Sequence, residues 1–532
     1  MNRSSFVKQA AILAAATLFA RFIGFLYRLP LTELIGDEGN ALYGVGFQFY
    51  LFLLVLSSAG LPAAISKMVA ERISRKQYRN AHAVFKAALM VAVCFGLTGS
   101  LLLWIMAGQL AVWFGFPGSV YAIRAVSPAV LLVAIMAVFR GYFQGMNNAV
   151  PTALSQVIEQ FFNALFKIWL AFIFIEQVEW AAAGATAGTW IGALAGLLTI
   201  LGIYKLLSPK LKRRIRRDPI RETERPEALI KELLRTAFPI ILGTAIISIA
   251  NFIDISMVSH RMAASGAFTQ GEIDALFGQL NGKFVVLTTL PVSISAALSI
   301  AVLPSIAGSM AALDHNAVIK KISSALRLSM LISIPAAVGM GVMAAPILML
   351  LFPNHPEGAI LLQVGSVSVI FLSLVQVATG ALQGIGKIMV PVIGAAAVVL
   401  VKIPLNYFLI VQPEINVVGA VISTCAGYFL ASIINLGALK KFTEIRIDWM
   451  EILVKPLGAA AMMGLTCFVS YYVLMIATFG HNGIAAVLSI LIGVAVYFVM
   501  LVMLGGLYKE DMARLPVLRK LQKLQVKTDS FG

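Results

Sequence analysis

Two arginines in the first apolar run of this chain, Arg21 and Arg28 in KQAAILAAATLFARFIGFLYRLPL, are placed where a guanidinium is costly. Counted from Phe6 at about 1.5 Å per helical residue, Arg21 falls roughly 22 Å into a hydrocarbon core only about 30 Å thick, and Arg28 near the far interface. A guanidinium at depth costs about 3 kcal/mol or more and is found facing a partner or a wet cavity. Seven residues are two helical turns, so both forks share a face. Such a pair suits a negatively charged, membrane-borne ligand, whose oxygens it can clasp in bidentate fashion.

Further charges lie within apolar segments. Lys67 and Glu71 are four apart at the inner end of the second segment, spaced for an i,i+4 pair or for ligand contact. Glu159 and Lys167 are eight apart, near one face of the fifth helix, and are expected to point inward because lipid would not tolerate them. Asp254 on the seventh helix and Lys402 on the eleventh enter from the same side and reach similar depth, so they pair if their helices touch. A buried Asp–Lys pair is weak evidence for stability and better evidence for a switch or an ion site.

The elements that must hold these groups are membrane helices. The chain has 532 residues, 60% of them hydrophobic and 12% charged, a composition that excludes a soluble domain. Apolar windows long enough to span occur near 6–29, 42–69, 81–108, 121–143, 150–175 and 180–206. After a polar segment they resume near 237–260, 280–311, 322–351, 359–384, 389–411, 417–440, 453–478 and 483–507, about fourteen in all. Lys and Arg gather in alternate connections, with Arg261 and Lys283 as exceptions, which predicts a multi-pass protein with both termini cytoplasmic. The net charge of +17 follows those connections, favouring topology and anionic lipid at the basic stretch 207–235 over nucleic acid.

The two halves repeat. Gly184-Ala185, Thr189 and Gly192 match Gly419-Ala420, Thr424 and Gly427; FQGMNNAVP (Phe143–Pro151) matches LQGIGKIMVP (Leu382–Pro391); AAIS (Ala63–Ser66) matches AALS (Ala296–Ser299). Three matches in one order at a displacement of about 235 residues indicate a duplicated unit. Six helices per unit give parallel repeats about an axis along the membrane normal, enclosing a central cavity. The expected organisation is an all-α bundle at 1–206, a basic cytoplasmic linker at 207–235, a second bundle at 236–440, two extra transmembrane helices at 452–507 and a basic tail at 508–532.

Enzyme chemistry finds little support. Gly278–Lys283 lacks the spacing and the Ser or Thr of a phosphate-binding loop, the five histidines are scattered, and the three cysteines have no metal-site spacing. No metal or organic cofactor is expected.

The segments ARFIGFLYRLPL, IGDEGNALYG, GLPAAISKMVAE and RGYFQGMNNAVPTALSQVIEQ, with the six-plus-six-plus-two layout, resemble the SpoVB/MurJ-type flippases of the multidrug/oligosaccharidyl-lipid/polysaccharide exporter superfamily. The resemblance covers nearly the whole chain. It implies a bacterial plasma-membrane transporter, functional as a monomer, that moves a polyprenyl-diphosphate-linked saccharide of the lipid II type outward by alternating access. It also leaves open another polyprenyl-linked precursor, or a multidrug or cation antiporter, as cargo. Arg21 and Arg28 match by position the arginines that contact the diphosphate in that family. Asp254 resembles the aspartate of a sodium site found in some members, with Asn406 on the eleventh helix. Lys402 stands beside it, and an ammonium there takes the place of a cation. Membrane potential, protons or sodium remain the possible drives.

Overall fold

The computed structural model describes residues 3–55, 61–216, 218 and 224–506, and among these every regular element is helical. The expected tail at 508–532 lies outside the described residues. In chain order the helices are α1 (Arg3–Leu26), α2 (Arg28–Leu54), α3 (Leu61–Ser74), α4 (Tyr78–Trp113), α5 (Val120–Gly145), α6 (Val150–Ile173), α7 (Val178–Arg216), α8 (Pro226–Ser265) and α9 (Gln270–Gly278). A wider π-helical turn over Gln279–Phe284 leads into α10 (Val285–Ala311). Then come α11 (His315–Val342), α12 (Ala344–Leu351), α13 (Ala359–Gly365), α14 (Ser368–Gly384), α15 (Met389–Leu409), α16 (Val418–Thr443), α17 (Lys455–Ala477) and α18 (Asn482–Met503).

Among the described residues nine helices are long and apolar enough to cross a membrane, ten if α13 and α14, bent by 49°, form one span. At 27 and 24 residues α2 and α6 are also long enough, and they carry the buried charges discussed below. The chain is a multi-pass helical membrane protein.

The structure corrects two sequence boundaries. The span expected at 42–69 is divided between α2 and α3. The stretch IGDEGNALYG before it is helical: α2 begins at Arg28 and runs through a kink at Gly36, whose φ of 67° and ψ of −175° suit only glycine. The break frees carbonyls inside apolar surroundings, and Asn40 patches them. Its Nδ2 donates to the carbonyls of Gly36 at 2.7 Å and Thr32 at 3.1 Å. Likewise much of 207–235 is helical, since α7 continues to Arg216 and α8 starts at Pro226.

The helices form two compact units, residues 1–287 with 395–423, and residues 288–394 with 424–532. Within the first, a Cβ on Gly141 or Gly145 of α5 would come within 3.0 Å of Pro62, Ser66 or Val69 on α3. Within the second, Gly380 and Gly384 of α14 meet Ser299, Leu303 and Ile306 of α10 as closely. The same close helix crossing is thus built twice, from the segments that match in sequence. The second unit's core runs from Ile306 through Met330 and Leu382 to Tyr497, with α17 and α18 packed into it. Its buried polar groups include a file of hydroxyls, Ser295–Ser329 at 2.7 Å and Ser333–Ser373 at 2.7 Å.

Candidate functional site

The site in the first unit begins with glycines. Gly184, Gly188, Gly192 and Gly196 recur every fourth residue on α7, and a Cβ on any of them would approach α6 to between 2.5 and 3.0 Å. A helix face without side chains lets its neighbour come close. On α6 the face pressed into that groove carries Ser155, Glu159, Asn163 and Lys167, again four apart and all buried. The polar ends of the stripe therefore have to find partners on other helices.

Glu159 finds Arg140 of α5, whose Nη2 donates to Oε2 at 2.7 Å while Nε donates to Ser155 Oγ at 3.1 Å. Lys167, 0% exposed, finds no acid. Its ammonium donates to the hydroxyls of Tyr43 at 2.8 Å and Tyr27 at 3.2 Å and lies 4.5 Å from the Phe47 ring centroid. Arg28 lies against the same Tyr43 ring, 4.4 Å from its centroid. Tyr43 and Phe47 are one turn apart on α2, so one face of that helix holds both cations. Among the described residues neither Arg28 nor Lys167 has a carboxylate within ion-pair distance.

Arg21 is exposed and makes no ion pair among the described residues. It shares a flank of α1 with Thr17 and Gly24, and a Cβ on Gly24 would meet nothing within 4 Å. The two arginines expected to act side by side are thus held differently: Arg28 by an aromatic ring, Arg21 by nothing in its own unit. Lys67 and Glu71 are exposed on α3, 65% and 49% respectively, and lie 4.0 Å apart. They do not join the Lys167 cluster. Glu159, grouped with Lys167 in the sequence, is turned to Arg140 instead.

A second polar centre joins α8, α15 and α16. Lys402 Nζ donates to Asp254 Oδ2, Asn406 Nδ2 donates to Oδ1 at 3.0 Å, and Ser423 Oγ donates to Asn406 Oδ1. Lys402, Asn406 and Ser423 are buried. Two turns along α8, Arg261 stacks 3.9 Å from the Tyr407 ring centroid and donates to its carbonyl at 3.1 Å, closing the same helix pair.

The sequence reading missed a third centre. Asp37 and Lys283, the latter an exception to the charge alternation, are both buried and lie 2.7 Å apart. The kink at Gly36 turns Asp37 inward, and Gly278 and Gly282 let the chain at the π turn settle on it. The available signal was Lys283 itself, a lysine opening an apolar run where the charge alternation has no place for it.

At the C-terminal end of α3, Arg72 is buried and donates to Glu224 at 2.5 Å and 2.8 Å and to Glu232 at 2.8 Å. Asp218 accepts from the Arg79 backbone N–H at 2.7 Å. Asp218, Glu224 and Glu232 of the basic stretch therefore pin it to α3 and α4.

A polar stripe clasped by a glycine groove, in a duplicated set of membrane helices, is the setting for the family assignment. The polysaccharide biosynthesis protein family is matched over residues 6–310, more than half of the sequence. The chain belongs to that family. It is similar to the lipid II flippase MurJ of Bacillus subtilis (strain 168), 27% identical over 540 residues, covering 96% of this chain and 98% of the relative. It is also similar to stage V sporulation protein B of the same organism, 26% identical over 527 residues, covering 98% and 99%. Among solved structures, lipid II flippase MurJ in an inward closed conformation aligns with a TM-score of 0.68 at 16% identity, over 92% of this chain and 98% of that one. An inward-facing multidrug resistance MATE family transporter of the MOP superfamily aligns at 0.65 and 16%, over 82% and 99%. At such identities the structures establish the fold alone, one shared with MurJ and the MATE transporter.

Proposed function

We propose that the chain is a flippase that carries a polyprenyl-diphosphate-linked saccharide, of the lipid II type, from the inner to the outer leaflet by alternating access. It is a transporter and not an enzyme. The observation that carries the reading is the cluster of Arg28 and Lys167 around Tyr43, two cations in one fold unit without a carboxylate to neutralise them. A diphosphate supplies the missing counter-charge, and charge-assisted hydrogen bonds to its oxygens are strong in surroundings that exclude water. Arg21, exposed along α1, is the first contact. The reading is supported by full-length similarity to the lipid II flippase MurJ and stage V sporulation protein B. A drug cation would be repelled by the same cluster.

The drive is the membrane potential. Moving negative charge outward gains about 2.3 kcal/mol per charge per 100 mV when the inside is negative. Lys402 already neutralises Asp254, so no sodium ion or proton is required there. The protein acts as a monomer in the bacterial plasma membrane, termini inside, with the basic surface around 207–216 against anionic headgroups. Glu71 and Lys67, exposed on α3, line the approach at most and do not hold the diphosphate.

The test is a leaflet-accessibility assay in cells whose only candidate flippase is this chain. Outward lipid II is expected with the wild type and is expected to fall sharply in Arg28→Gln. Full outward exposure in a variant lacking Arg21, Arg28 and Lys167 together would refute the diphosphate role. For the drive, transport in vesicles holding a potassium-set potential is expected to be unchanged when choline replaces sodium.

A further inference from the structure

An ammonium can donate and cannot accept, so every hydrogen-bond partner of Lys167 must be an acceptor. Its Nζ donates to Tyr43 Oη at 2.8 Å and to Tyr27 Oη at 3.2 Å, and it lies 4.5 Å from the Phe47 ring centroid. The residue is 0% exposed. It is also held from behind, since a Cβ on Gly188 of α7 would come 2.5 Å from its Cγ. Its donors are engaged within the protein, and it has no open face toward a ligand.

The two phenols are in the opposite condition. Each hydroxyl accepts from Lys167, and this fixes the direction of its own proton, which must point away from the ammonium. A phenol carries one donor besides its lone pairs. Among the described residues neither Tyr27 nor Tyr43 donates that proton to a side chain or a carbonyl. A buried donor without an acceptor is costly, and here two of them stand within 3.2 Å of one nitrogen. Arg28 completes the set: its guanidinium lies 4.4 Å from the Tyr43 ring centroid and makes no hydrogen bond to a described residue. A guanidinium fork and two phenolic protons all donate. Such a set fits a group made only of acceptors, which an ionised phosphoryl group is and a sugar hydroxyl is not.

We propose that Tyr27 and Tyr43 donate their hydroxyl protons to the phosphoryl oxygens of the cargo, and that Lys167 is a positioning residue that turns both protons toward them without touching the cargo. The proposal rests on the reading of the cargo as diphosphate-linked. The charge of Lys167 then acts at one remove: the ammonium polarises two phenols, and the phenols make the contact. Tyr27 precedes Arg28 at the junction of α1 and α2, and Tyr43 carries Arg28 on its ring, so one short stretch of chain supplies all three donors.

The experiment measures lipid II binding to the purified full chain in nanodiscs, with thermal midpoints taken on the same samples. Tyr43→Phe keeps the ring beside Arg28 and removes only the hydroxyl; Tyr27→Phe does the same at the junction. At about tenfold for each charge-assisted hydrogen bond, the double variant is expected to bind lipid II about a hundredfold more weakly. It also strips Lys167 of its acceptors, so its midpoint is expected to fall. Lys167→Met, similar in length and apolar, is expected to weaken binding about tenfold, because the hydroxyls lose their fixed orientation. The triple variant replaces the whole buried polar group by apolar side chains of similar shape and should regain most of the midpoint. Its affinity should equal that of the double variant, since Lys167 acts only through the phenols.

Wild-type affinity in the double variant would overturn the proposal and leave the phenols as acceptors for a buried lysine. A triple variant tenfold weaker than the double would overturn it too, because Lys167 would then touch the cargo itself. The expected binding pattern in a chain that moves no lipid II would remove the flippase reading and keep the phenol contact. Normal outward exposure of lipid II with unaltered binding in the double variant would do the reverse. A wild-type chain that binds no lipid II would end both.

Discussion

Lys167 and Lys402 are both lysines sunk into the same unit, and their surroundings are opposites. Lys402 is met by the carboxylate of Asp254, itself steadied by Asn406 and Ser423, so the group is neutral as a whole and every member has a partner. Lys167 is met by two phenol hydroxyls and an aromatic face, with Arg28 on the other side of Tyr43, and the positive charge is left standing. A buried ion pair holds helices in register; a buried cation held by hydroxyls and rings keeps its charge unneutralised by the described side chains. The difference separates what keeps α8 against α15 from what, on the proposed function, meets the cargo.

The comparison breaks first at Lys402. Lys402→Ala leaves Asp254 uncompensated and is expected to cost about 3 kcal/mol or more, read as a lowered thermal midpoint in detergent. Removing Asp254 as well should restore most of that loss. Recovery that fails in the double variant would mean the pair is not the unit described. Next comes the glycine groove. A Cβ on Gly192 would lie 2.6 Å from Asn163 and 2.7 Å from the Glu159 carbonyl, so Gly192→Val should cost about 1–3 kcal/mol and lower transport with stability.

Arg28→Gln sharpens the contrast from the other side. Removing a charge-assisted contact worth about 1.5–3 kcal/mol predicts roughly a tenfold to hundredfold fall in lipid II exposure, with a nearly unchanged thermal midpoint. A stability loss as large as that of Lys402→Ala would make Arg28 a structural group. The smallest effect is expected at the exposed Lys67–Glu71 pair, where Lys67→Ala should alter neither unfolding nor leaflet exposure measurably.

Much of this was legible in the sequence because charge in an apolar run is a loud signal. Glu159, Lys167, Asp254 and Lys402 each stood out by cost alone, and the depth estimate put Asp254 level with Lys402, which do meet. Partner choice was less legible. Helical spacing places Glu159 and Lys167 on one face, but says nothing of Arg140 or the two tyrosines, which arrive from α5, the α1–α2 junction and the body of α2. Tyr43 was invisible for a related reason: an amphipathic ring in a membrane helix has many ordinary uses. Asp37 was hidden by a local rule that holds elsewhere, since Gly, Asp and Glu in a row read as a turn. The chain instead bends within a helix, and only the distant Lys283 and the carbonyl-patching Asn40 make that bend affordable. The repeat was readable as spacing, and its meaning became clear when Gly145 and Gly384 proved to sit in matching helix crossings.

The bend at Gly36 has a mechanical corollary. It splits α2 into a short arm that begins at Arg28 and a longer shaft that bears Tyr43, hinged where Asn40 holds two carbonyls of the arm. Thr32 Oγ1 adds a hydrogen bond to Asn40 Oδ1 at 3.2 Å, so side chains tie arm to shaft where the backbone ladder is broken. Arg28 at the start of the arm packs on the Tyr43 ring of the shaft, so a charge met at Arg28 is felt on both sides of the bend.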